Sequence, residues 1–95
     1  MPKTSVSVST ANTFSDPIRI VGGFNISISG TYLGNITLQR SENGTTWNSI
    51  QIWSAPVQRI GFDPILNYYR IGSLSWATGT AVASINGYDV WPNRI

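Results

Sequence analysis

The side chains that could do chemistry in this 95-residue chain are few, and what is missing narrows the reading first. There is no histidine and no cysteine, so the commonest general base and the strongest side-chain nucleophile are both absent. Disulfides and thiolate metal sites go with them, as suits a chain made in a reducing cytoplasm. An acid–base pair would have to come from Asp16, Glu42, Asp63 and Asp89. Two of these precede proline, one sits in the turn Glu42-Asn43-Gly44 and one in the last eight residues. That is ordinary turn chemistry. A calcium site would draw on Asp16 or Asp63 with backbone carbonyls, but no loop of regularly spaced acids is present. The expectation is a protein that is not an enzyme and needs no metal or cofactor.

The cations and aromatics are better suited to binding than to catalysis. Lys3 and five arginines give a net charge of +2, but they are scattered singly, without the basic run that tracks a phosphate backbone. No nucleic-acid partner is expected. Arg40 and Arg70 fall in strand patterns, where a guanidinium can stack on Trp or Tyr and brace a neighbouring strand. Arg59, between Gln58 and Ile60, is better placed to reach a partner. Trp47 follows a turn directly and is expected to cap the core, whereas Trp53 and Trp76 could anchor a protein interface or, with Tyr32, stack on a sugar. The end of the chain is unusually apolar. Tyr88, Val90, Trp91, Pro92, Arg94 and Ile95 follow Gly87, a natural hinge, and are interface candidates together with Arg59. Such a tail, hanging free, would expose several hundred Å² of apolar surface. It must fold back over its own sheet or dock on a neighbour.

The elements that position these residues are strands. Ile, Val and Thr supply 27 of 95 residues, while Glu, Lys and Met appear once each, a composition that favours strands over helices. Period-two alternation recurs in Ser5–Ser9, Pro17–Val21, Phe24–Ser29, Gly34–Ser41, Trp47–Trp53, Val57–Phe62, Ile65–Ile71 and Thr80–Ile85. Gly22-Gly23, Thr31-Leu33, Asn43-Gly44, Asp63-Pro64 and Thr78-Gly79 supply the punctuation, with Asn43-Gly44 expected as a tight hairpin turn. The pattern predicts an all-β fold: a single antiparallel β-sandwich, jelly-roll-like, of about eight short strands. It spans 1–95, with 1–12 as an N-terminal arm or edge strand and 88–95 as a C-terminal tail. Phe24, Ile26, Ile28, Ile36 and Leu38 should form the centre of the core. Only 11% of residues are charged, well under the ordinary quarter or so. The surface is therefore polar but nearly uncharged, and can be buried against a partner without stranding charges. No apolar stretch reads as a signal peptide or a membrane span.

The phrases FNISISG, GNITLQRSENGTTWNSI, YYRIG and ATGTAVASI resemble a family of small all-β virion proteins of tailed bacteriophages. The residues that carry the likeness are Phe24, Ile26, Gly30, Gly34, Leu38, Gln39, Arg40, Ser41, Gly44, Thr46, Trp47, Tyr69, Arg70, Gly79 and Thr80. They are packing and turn positions covering about two thirds of the chain. The resemblance implies a capsid decoration or cement protein, or a neck, tail or fibre part. Its partners would be the major capsid protein or other virion proteins, and further copies of itself as a homo-oligomer, with a trimer as the first guess. The place implied is the capsid surface, after synthesis in the bacterial host cytoplasm. The turn Ser41–Trp47 also resembles the Asp-box hairpin of sialidase-like propellers, one residue short and with Asn43 in the Asp position. That motif is structural, and a propeller needs many copies. The reading from another class is a carbohydrate-binding β-sandwich module.

Overall fold

The structure is a computed structural model that describes residues 3–87. Every element in it is a strand: β1 (Lys3–Val8), β2 (Thr13–Phe14), β3 (Ile18–Ser41), β4 (Asn48–Trp53) and β5 (Val57–Gly87). They form one antiparallel sheet in the order β1-β5-β3-β4, with β2 paired separately to β5. The all-β, antiparallel reading holds. The number of strands differs, because the strands continue through Gly22-Gly23, Thr31–Leu33, Asp63-Pro64 and Thr78-Gly79, with register shifts at Ile20/Gly22 and Leu33/Gly34 where the sequence suggests ends. Residues that break strands elsewhere bend them here. The N-terminal arm is an edge strand, β1, pairing Lys3 with Asn86 and Val8 with Ala81.

The two long strands cannot be straight. At about 3.3 Å per residue, the 31 residues of β5 would reach roughly 100 Å, yet the longest molecular dimension is 45 Å. The register shows where the chain goes instead. Residues 24–28 of β3 are flanked on both sides by β5: Ile26 faces Arg59 and Ile85, and Ile28 faces Val57 and Ala83. The middle of β5 is flanked in turn by two parts of β3, since Tyr69 faces both Ile18 and Arg40. Both strands bend together where Gly30 meets Ala81 and Tyr32 meets Gly79. Gly30 and Gly79 have φ of +115° and +92°, a region that costs a side-chain-bearing residue dearly. A Cβ on either would also run into a carbonyl oxygen of the facing strand, Thr80 or Thr31.

Alternation then fills the core. Phe24, Ile26, Ile28, Ile36 and Leu38 are all buried, as their shared parity predicts, and Ile20, Ile71, Ala81, Ala83 and Ile85 join them. The Phe24 and Tyr69 rings meet at 5.0 Å, tilted by 49°, within the centroid range of favourable aromatic pairs.

Candidate interaction surface

Before any surface can be assigned to a partner, the side chains the fold uses for itself must be set aside. Asp63 is one. It is 4% exposed and its carboxylate accepts from Arg40 Nε (2.8 Å), Tyr69 Oη (2.7 Å), Asn67 Nδ2 (3.1 Å) and the Ile65 amide (3.1 Å). Burial alone would raise its pKa, but the Arg40, Tyr69 and Ile65 donors outweigh burial and hold it down at about 2. The Tyr69 hydroxyl is pushed up to about 12, first by burial and then by donating to Asp63. The expectation of simple turn chemistry at Asp63-Pro64 is corrected: this carboxylate ties β3 to β5 from inside. Its lone pairs are engaged by protein donors, which leaves it poorly suited to a cation.

Arg70 braces the opposite surface of the sheet. Its guanidinium lies 4.2 Å from the Phe14 ring centroid and 4.5 Å from that of Trp47, and Nε donates to Gln39 Oε1 at 2.7 Å. Burial lowers its pKa. Trp47 is thus half of an aromatic clamp on Arg70 and stays partly exposed, not the core cap expected. The turn before it is wider than the two-residue hairpin anticipated at Asn43-Gly44. Six residues separate β3 from β4, because the side chains there supply the turn's bonds. Ser41 Oγ accepts from the Asn43 and Gly44 amides, and Asn43 Oδ1 accepts from the Thr45 and Thr46 amides. Only Gly44 takes a positive φ, +82°.

Two surfaces remain. The first is a cleft of about 340 Å³ between β4 and the opening residues of β5. Phe24, Leu38 and Trp53 line it, with Ile50 on one wall and Arg59 and Ile60 on the other. Both walls are sheet edges among the described residues, since β4 pairs only with β3 and residues 57–61 pair only with 24–28. Ile60 is 90% exposed at this rim. Trp53 is 8% exposed, and its indole N–H is buried with no acceptor, a state that costs a folded protein free energy. The second surface is a largely polar face. The row Ser5, Ser84, Ser27, Gln58 crosses four neighbouring segments, and the row Lys3, Asn86, Asn25, Ile60 runs beside it. Lys3 is the single charge in either row.

Of the interface candidates, Arg59 lies in the cleft wall, exposed, donating to the Gln58 carbonyl at 3.3 Å. Tyr88, Val90, Trp91, Pro92, Arg94 and Ile95 lie outside the described residues. The proposed sugar platform is not assembled: Trp53 is buried, while Tyr32 and Trp76 stack on each other at 5.1 Å and 11°. Trp76 Nε1 donates to the Gly79 carbonyl at 3.1 Å, so this pair packs against the bend. Sequence reasoning missed Ile50 and Ile60 as rim residues, and Trp53 as a buried donor without an acceptor. Alternation marks which side of a strand they occupy, but whether that strand is an edge depends on pairings many residues away. Among the described residues, no three acidic side chains converge as a metal site would need. No family model, no curated protein and no solved structure matches the chain.

Proposed function

We propose that this protein is a structural component of a bacteriophage particle, a decoration or cement protein that binds the outer shell and bridges capsomers. The observation that supports this reading is the pairing of an apolar, edge-walled cleft with a largely polar face almost free of charge. Both can be buried against protein at low desolvation cost. The chemistry-bearing side chains point the same way, because Asp63, Arg40 and Arg70 are occupied in bracing the sheet. Many such contacts, each weak, become strong when repeated over a shell. The finer architecture belongs to the same reading: the bent strands form a two-layer, jelly-roll-like sandwich of about eight segments. Residues 3–8, 81–87, 24–30 and 57–61 make one layer, and residues 13–20, 67–73, 35–41 and 48–53 make the other.

The test is to count copies per purified particle by quantitative mass spectrometry. Hundreds of copies mark a shell protein. A dozen or fewer would move the protein to the neck, tail or fibre, and none would end the virion reading.

A further inference from the structure

We propose that Arg70, clamped between Phe14 and Trp47, receives a carboxylate from the surface of a protein partner on the free end of its guanidinium. The proposal rests on the reading of this chain as a component that docks on protein, and it names the chemistry of the surface it meets.

Arg70 is fixed from three directions. Gln39, only 5% exposed, takes Nε at 2.7 Å and is itself held by donating to Ser49 Oγ at 3.3 Å. The rings of Phe14 and Trp47 lie 4.2 Å and 4.5 Å from Cζ. Phe14 reaches that position because residue 72 is glycine, where a Cβ would run into the Phe14 ring and the Thr13 carbonyl oxygen. The rotamer freedom of a long side chain is therefore spent before any ligand arrives, which is the condition for tight recognition.

Arg40 shows how a guanidinium is used when its task is internal. Its Nε and Nη2 both donate to the Asp63 carboxylate. Arg70 has only the neutral Gln39 amide, on Nε. Among the described residues, no acceptor is bonded to its Nη1 or Nη2 and no carboxylate lies within ion-pair distance. Burial already disfavours its charge, so an arriving anion relieves a cost that the fold leaves uncompensated. With Nε taken, the fork that remains is the end-on pair of Nη groups, which matches the two oxygens of one carboxylate.

The surroundings suit a protein surface. Tyr68 lies on the same side of β5 as Arg70, and Arg19 pairs with it, Cζ 5.6 Å from its ring. Across Gly72 and Thr37 the same surface ends at Ile52, 59% exposed. Trp, Tyr and Arg are the side chains that dominate protein interfaces, whereas two arginines fall short of the run that tracks a phosphate backbone. The sign of the charge selects an acidic partner. Arg19 and Arg70 sit on this surface, while the exposed acids Asp16 and Glu42 line hollows elsewhere, with Lys3 and with Arg40.

The experiment titrates the full chain at constant ionic strength and follows the Arg70 Nε–H and Trp47 indole N–H by NMR. The probes are sodium acetate, the peptide acetyl-Leu-Glu-Leu amide, its Gln counterpart and inorganic phosphate. The Glu peptide should bind at Arg70 at least about tenfold more tightly than at exposed Arg59, and tenfold more tightly than the Gln peptide. Contact with the flanking rings should make it at least about fivefold tighter than acetate, which carries the same charge. Arg70→Lys keeps the charge but loses the planar fork, and should lose at least about tenfold in peptide affinity with its β-sheet spectrum intact. Equal binding at Arg59 and Arg70, a Gln peptide as good as the Glu peptide, or a fully competent Arg70→Lys overturns the proposal. A Glu peptide no tighter than acetate, or phosphate more than tenfold tighter than the peptide, overturns the assignment to a protein surface. If Arg70→Lys does not fold, the titrations of the parent chain decide. None of these measurements needs a particle, so the site and the copy count can each fail without the other.

Discussion

Asp63 is held by donors from four residues, and that makes the fold acid-sensitive at one identifiable atom. Its carboxyl group titrates near 2 in the folded chain against an ordinary 3.8. A depressed pKa stabilises the fold at pH values above the unfolded pKa. That contribution is lost as pH falls through the folded value. The expected loss is about 2 kcal/mol between pH 5 and pH 1, read by denaturant titration at several pH values. Asp63→Asn should flatten that part of the profile, and an unchanged acid limb would assign the sensitivity elsewhere. Tyr69 works in the opposite sense. Its raised pKa favours the fold below the unfolded value near 10, and that contribution disappears as pH climbs towards 12.

At the scale of the element, two residue pairs decide whether the long strands can form. Gly79→Ala places a side chain at φ +92° and against the Thr31 carbonyl, so it should destabilise by about 1–3 kcal/mol. Ser29→Ala, on an exposed position of β3 next to the same bend, should stay within about 0.5 kcal/mol of the parent. Equal melting temperatures for the two would show that the bend tolerates a side chain. Ile26 and Leu38 sit on the two arms of β3 and are both buried in the core. Truncating either to Ala should cost about 2–5 kcal/mol. A loss below half a kcal/mol at both, measured by chemical unfolding, would mean that the buried faces are assigned the wrong way round.

For the whole molecule, the shortage of charge sets how assembly responds to salt. With 11% charged residues, association should depend mainly on apolar and main-chain contacts. Raising salt from about 0.1 M to about 1 M shortens the Debye length from roughly 10 Å to roughly 3 Å. Self-association should weaken by less than about tenfold over that range. A steeper fall, seen by sedimentation, would point to a multiply charged interface and away from the cleft.

The amino-acid sequence by itself determined the apolar centre of the core, because the inward-facing parity of Phe24, Ile26, Ile28, Ile36 and Leu38 is a local property of each strand, but not the burial of Thr37 and Gln39 on the opposite parity. It also determined the all-β class, through the surplus of β-branched residues and the scarcity of helix formers, and it marked Arg40 and Arg70 as braces. Which carboxylate the first of those braces would meet was decided only in three dimensions, since Asp63 lies 23 residues from Arg40. The same holds for the bends. Gly30 and Gly79 look like ends of strands, and only the facing of Gly30 with Ala81 and of Tyr32 with Gly79 turns them into bends within continuous ladders. The cleft was the least legible of all. Ile50 and Ile60 read as ordinary strand residues and Arg59 and Trp53 as separate interface candidates, and what brings the four together is that their strands have no further neighbour among the described residues. Pairing partners are fixed by the closure of the whole sheet, so an edge is a property of the tertiary structure and has no local signature.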